Sequence, residues 1–155
     1  MIGLLMTVLL AQASSMPTVT PAPQRLPTIA VQAPRAKLIL QVAKTEEQRE
    51  LGLMSVTLLP VHTGMVFVFD EDAPVAFWMK DTLIPLDMIF VAADGTVRSV
   101  AADVPVVPET TPDDRIPRRS GTAKYVIELP ANEAAKDGIT VGIKLDGLAV
   151  LRADR

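Results

Sequence analysis

The chain has no cysteine among its 155 residues, which removes disulfides, thiolate catalysis and sulfur-ligated zinc together. It has no basic excess either. A net charge of −3 and a pI near 5.1 exclude the clustered Lys and Arg surplus that nucleic-acid binding draws on. The densest charged run, Asp113 to Arg119, mixes both signs around Pro117 and reads as a solvated loop. Histidine occurs once, as His62 in Pro60-Val-His-Thr-Gly64. With no Cys, Ser or carboxylate cluster beside it in sequence, it reads as a solvated loop residue without a catalytic role. Long apolar runs are missing as well. The stretch Ile2 to Leu10 is far short of the ~20 residues that span a bilayer, so no integral membrane span is expected in the mature chain.

That short apolar stretch ends in Ala11-Gln12-Ala13, a small-x-small tripeptide that fits a signal-peptide cleavage site, although no Lys or Arg precedes it. Residues 1–13 are therefore expected to be a signal peptide, and the mature protein to be exported to a periplasmic or extracellular space. No cysteine follows, so the signal is not of the lipoprotein kind. Prolines 17, 21, 23, 27 and 34 dominate residues 14–36, which have few large apolar side chains and no periodicity. Such a segment cannot bury enough surface to offset its ordering entropy, and it is expected to be a disordered tether. Residues 37–152 then form one domain.

Within that domain, Lys37 to Ala43, Met65 to Phe69, Phe77 to Lys80, Leu86 to Ala92, Thr96 to Ala102, Lys124 to Leu129 and Val141 to Leu145 read as strands. Thr45 and Gln48 complete a capping box for a short helix that Gly52 ends. Asn132 to Asp137 makes a second one, closed by Gly138. About seven strands and two short helices suit a mainly β domain, a small β-sandwich or partly closed barrel. Pro85 forces Ile84 to be extended, so a hairpin centred between Leu83 and Ile84 is the economical connection. It would set Phe77 opposite Phe90, Trp78 opposite Ile89, Met79 opposite Met88 and Lys80 opposite Asp87. Asp94-Gly95 makes the next hairpin, with a two-residue loop and a bulged three-residue loop equally compatible.

Four segments carry a family likeness: Glu47-x-Arg49-x-x-Gly52-Leu-Met54, Gly64-Met65-x-Phe67-x-Phe69, Phe77-Trp-Met-Lys80-x-Thr-Leu-Ile-Pro-Leu-Asp-Met-Ile-Phe90, and Tyr125-Val-x-Glu-Leu129. The chain resembles the prokaryotic domain of unknown function 192 over almost all of residues 37–145. The resemblance implies a mainly β fold in proteins that are often exported, and it implies no activity. Members often have Asn where Asp81 stands, Arg where Val56 stands, and cysteines in the loop matching residues 105–119. A role resting on that Arg or on a disulfide is not available here.

Three chemistries compete for the domain. A binding or accessory module of the cell envelope, for a small molecule or an envelope protein, would use Trp78, Lys80, Asp81 and Asp87; it needs no cofactor. Soft thioethers select Cu(I), so Met54, Met65, Met79 and Met88 around Trp78 offer a copper-binding alternative. Methionine on the core face of strands is ordinarily filler, which weighs against it. A carboxylate-dependent hydrolase would require Asp81, Asp87 and Glu128 to surround one cleft. Ser55 with Lys80, or Ser120 with Lys124, lack the setting of an activated nucleophile, and no catalytic residue or metal ligand is assigned.

Overall fold

The computed structural model describes residues 21–151; the expected signal peptide, the first part of the Pro-rich segment and Arg152 lie outside them. Among the described residues six strands and two α-helices follow in chain order, besides two 3₁₀ turns at Asp113–Arg115 and Leu148–Leu151: β1 (Thr28–Gln32), β2 (Lys37–Ala43), α1 (Glu46–Leu51), β3 (Thr63–Trp78), β4 (Leu86–Val91), β5 (Val97–Val104), β6 (Arg118–Pro130) and α2 (Glu133–Lys136). The strands form a single mixed sheet of six in the order β1-β2-β3-β6-β4-β5, open at both edges. Only β2 and β3 run parallel, with α1 in their connection.

The strands read as nearly continuous apolar runs because both faces of the sheet are covered. On one face Leu38, Leu40, Val66, Ile89, Tyr125 and Ile127 pack under α2 and the C-terminal segment through Ala134, Ile139, Leu148 and Leu151. On the other, Met65, Phe67, Met88, Phe90 and Val126 pack with Leu53 and Met79. All six residues of β4 are buried in consequence. The mainly β class and the two short helices are as expected, whereas the sandwich and the barrel are not formed. Helices, turns and loops supply the covering layers that a second sheet would have given.

Several boundaries differ from the expectation. The run Met65 to Phe69 and the first half of the run Phe77 to Lys80 belong to one 16-residue strand, β3, interrupted by an irregularity between Val68 and Ala73, and Met79 and Lys80 lie beyond its end. Val141 to Leu145 forms no strand and contributes one isolated bridge, Thr96 to Lys144. Strand β1 lies inside the segment read as a tether and pairs along β2 from Thr28–Gln41 to Gln32–Lys37. Its Pro-bounded five residues alone bury too little to signal a strand; the edge of β2 supplies the partner. The capping box is present, with the Gln48 N–H donating to Thr45 Oγ1 at 3.2 Å, and Gly52 takes a positive φ beyond α1. The β4–β5 hairpin has the three-residue loop. The Gly95 N–H donates to the Ala92 carbonyl and the Ala92 N–H to Thr96, with Gly95 at φ 91.

The hairpin across Leu83-Ile84 is overturned. Strand β6 inserts between β3 and β4, so Trp78 faces Arg118 and Phe77 faces Arg119, while Met88 faces Glu128 and Asp87 faces Leu129. Phe77 and Phe90 still meet, edge to face at 6.2 Å, above the intervening strand. Gly121 of β6 permits this: a Cβ there would lie 2.7 Å from the Phe90 ring. Matching chemistry across the two runs therefore reflects a shared core face and not direct pairing.

Candidate functional site

Asp87 and Glu128 are both buried charged residues in the middle of apolar strands, and the sheet sends them to opposite faces. Asp87, fully buried on β4, accepts N–H groups from Asp103 at 2.8 Å, Asn132 at 3.0 Å and Ala134 at 2.8 Å. Its two oxygens tie the end of β5 to the start of α2, and Lys80 is not among its partners. The Lys80 ammonium instead pairs with Asp113, which holds its pKa above the usual value. The expected Lys80–Asp87 ion pair is thus absent, because β6 separates the elements that carry the two residues.

Glu128 is only 4% exposed, on β6, in cross-strand register between Met65 of β3 and Met88 of β4. Its carboxyl makes no hydrogen bond and no ion pair among the described residues. Burial pushes its pKa up to about 8, so the acid is largely neutral at pH 7. It faces a narrow cleft of about 40 Å³, whose walls are the Gly52–Met54 turn after α1, Phe67 and Phe77 of β3, Trp78, and Lys80 and Thr82 beyond it. That volume has room for a few waters or one small functional group. Close approach of strands sets this geometry. A Cβ on Gly64 would lie 2.0 Å from the Glu128 backbone oxygen, so only glycine lets β3 and β6 pair at this point.

Two cations, Arg49 and Lys80, and one further carboxylate, Glu50, also line the cleft. The Arg49 guanidinium donates to the carbonyls of Lys44 and, at 3.0 Å, Val68, and lies 5.1 Å from the Phe69 ring centroid; no carboxylate pairs with it among the described residues. Arg118 stacks on Trp78 at 4.4 Å and Lys80 approaches the same ring at 5.3 Å. Of the residues named from sequence, Trp78 and Lys80 therefore share a site, joined by Glu128, which sequence reasoning placed only in the hydrolytic set. Asp81 sits at φ 49 and lines, with Lys80 and Asp113, a separate shallow depression of about 430 Å³. Asp87 is spent on backbone donors.

The hydrolytic set does not converge, since Asp87 and Glu128 occupy opposite faces. Neither serine–lysine pair forms: Ser55 Oγ is buried without a partner, Lys80 is held by Asp113, and Lys124 donates to the Asp70 carbonyl at 2.9 Å. Met65, Met79 and Met88 are buried in one apolar cluster, and Met54 stands on the cleft wall. His62 was expected to be solvated and isolated. It is half-exposed, but the fold brings Glu133 of α2 and Asp137, its C-cap, against it.

The site is thus a small cleft over a neutral buried acid, on one face of an open sheet. The chain belongs to the DUF192 family, described as an uncharacterized ACR, whose model matches residues 28–147 and so includes β1. Arg49, Gly52, Met54, Phe67, Phe77, Trp78, Lys80 and Glu128, all within the segments that carry the resemblance, line the cleft. Two solved structures are similar. One is a candidate transcription regulator from Sinorhizobium meliloti, 32% identical with a TM-score of 0.69, covering 83% of this chain and 99% of that one. The other is a protein of unknown function from Novosphingobium aromaticivorans, 29% identical with a TM-score of 0.64, covering 83% of this chain and 94% of that one. No curated protein matches the chain. Among the described residues no helix is long and apolar enough to cross a membrane.

Proposed function

We propose that this protein is an exported binding or accessory module of the cell envelope that holds a small carboxylate-bearing ligand in the cleft over Glu128. The observation that carries the reading is a carboxyl that is 4% exposed, unpartnered and turned toward a cleft. The carboxyl opens onto the cleft and makes no hydrogen bond to a described residue, so a ligand placed there can pair with it directly. At pH 7 the neutral acid donates a hydrogen bond, which suits an oxygen acceptor on the ligand. Arg49 makes no ion pair among the described residues and lines the cleft, with Glu50 beside it, so its guanidinium can meet a ligand carboxylate. A cationic ligand would have to ionise Glu128 while facing Arg49 and Lys80. The apolar run before Ala11-Gln12-Ala13 supports export, and the Pro-rich stretch ahead of β1 supports a tether.

Trp78 is the single tryptophan and lines the cleft, so its fluorescence reports occupancy directly. Acetate, with its four heavy atoms, gains at most about 6 kcal/mol, which makes millimolar concentrations the working range. At pH 6.5, acetate should change the emission saturably and methylammonium should not. Raising the pH to 9.5 ionises Glu128 and should weaken acetate more than about 10-fold. In Glu128→Gln, whose amide donates at every pH, that loss should disappear. Preference for methylammonium, or no response to either probe, would refute the reading.

A further inference from the structure

A second cluster lies on the other side of the sheet, away from the cleft. Glu133 opens α2 and Asp137 is its C-cap, one turn on, joined by the Asp137 N–H donating to the Glu133 carbonyl at 2.9 Å, so both project from the same face. They are 4% and 2% exposed. Facing them is His62, whose Nδ1 stands 3.4 Å from Glu133 Oε1, 3.1 Å from Asp137 Oδ1 and 3.2 Å from Oδ2. No lysine or arginine reaches ion-pairing distance of either carboxylate among the described residues.

The hydrogen-bond count does not close. Nδ1 carries at most one hydrogen, and three carboxylate oxygens crowd it. Asp137 takes that hydrogen in the better geometry, which leaves the Glu133 carboxylate without a hydrogen bond among the described residues. Two buried carboxylates facing each other need positive charge between them. The spacing says what kind. Donor atoms about 2.0–2.1 Å from one ion stand about 3.3–3.4 Å apart in tetrahedral geometry and about 2.9–3.0 Å apart in octahedral geometry. The imidazole-to-carboxylate separations of 3.1–3.4 Å fall in that range, and one donor atom from each residue lies within 4.8 Å of the others.

We propose that His62, Glu133 and Asp137 form a binding site for a first-row divalent cation, Zn²⁺ above all, through His62 Nδ1 and one oxygen of each carboxylate. An imidazole with two carboxylates suits borderline cations such as Zn²⁺ better than soft Cu(I). Three protein ligands leave a position open to water on the half-exposed side, where His62 meets solvent. The ion would clip the loop ahead of β3 to α2, so it joins segments that no strand pairing connects.

The untagged full chain, stripped with chelator, should take up one Zn²⁺ per chain in isothermal titration. Because the chain has a single histidine, its ring ¹⁵N resonances identify the ligand without ambiguity. Zn²⁺ should move the Nδ1 resonance to a metal-bound position and leave Nε2 as the protonated nitrogen. Co²⁺ should give a visible d–d spectrum that is absent in His62→Ala and in Asp137→Asn. His62 is half-exposed, so its alanine variant should keep the wild-type circular dichroism and lose at least about 10-fold in Zn²⁺ affinity. An unmoved Nδ1 resonance under saturating Zn²⁺ would overturn the proposal, even where a variant fails to fold. Wild-type affinity in a folded His62→Ala protein would do the same.

Discussion

Glu128 and Asp87 stand one position apart in the register of β6 against β4, and their surroundings give them opposite tasks. Asp87 receives three backbone N–H groups, each worth about 1.5–3 kcal/mol when the acceptor is charged. Asp87→Ala should therefore cost about 3–5 kcal/mol, measured by urea unfolding. Lys80→Met should leave the unfolding midpoint close to wild type, and the two effects should add, because β6 separates the residues. Non-additivity would mean that the pair touches. Glu128 accepts no hydrogen bond among the described residues. Its folded pKa of about 8 exceeds the ordinary 4.5, so the folded state holds the extra proton between those values and stability falls as pH rises through that window. The loss amounts to about 3 kcal/mol by pH 7 and about 5 kcal/mol beyond pH 8, relative to acid conditions. Glu128→Gln should remove it, giving a variant more stable than wild type at pH 9 and similar at pH 4. Parallel pH profiles for the two proteins would contradict the assignment. The sequence does mark both residues, as charges inside strands of buried apolar residues. It does not tell a carboxylate with three donors from one with none, because those donors come from Asp103, Asn132 and Ala134, far away in the chain.

At the scale of elements, local rules succeed where the interaction is local. The Thr45–Gln48 box, the Gly52 stop and the Asp94-Gly95 turn depend on neighbours within four residues, and all are legible. Pairing of β6 between β3 and β4 is not, because a strand some 40 residues on competes for the same edges and wins. Phe77 and Phe90 look paired from their alternation, and their rings do touch, but across Gly121 rather than along a hairpin. The same long-range choice builds the cleft: β6 supplies Glu128, β3 supplies Phe67, Phe77 and Trp78, and α1 brings Arg49. Strand β1 was hidden among prolines for a related reason, since it is stabilised by β2 and not by its own composition. A chain starting at Pro21 should unfold cooperatively with full stability, whereas one starting at Lys37 should lose β1, expose the edge of β2 and melt lower. Equal melting temperatures would restore the tether reading for residues 28–36.

The whole molecule is one sheet with a different device on each face. The face carrying Met65, Phe67 and Met88 holds the cleft and its neutral acid, and the opposite face carries α2, the Asp87 anchor and the His62 cluster. On a chain of charge −3, Arg49 and Arg118 near Trp78 make no ion pair among the described residues, while Lys80 is held by Asp113, which fits recognition of a small anion better than of a polyanion. Binding, on this account, exploits an acid that the fold buries at a cost. The most direct test is a ¹³C NMR titration of the glutamate side-chain carboxyls, with Glu128 assigned by its absence in Glu128→Gln, run with and without acetate. The Glu128 midpoint should lie near 8 in the free protein and move higher when acetate occupies the cleft. A midpoint near 4.5, or one that acetate leaves unmoved, would contradict it.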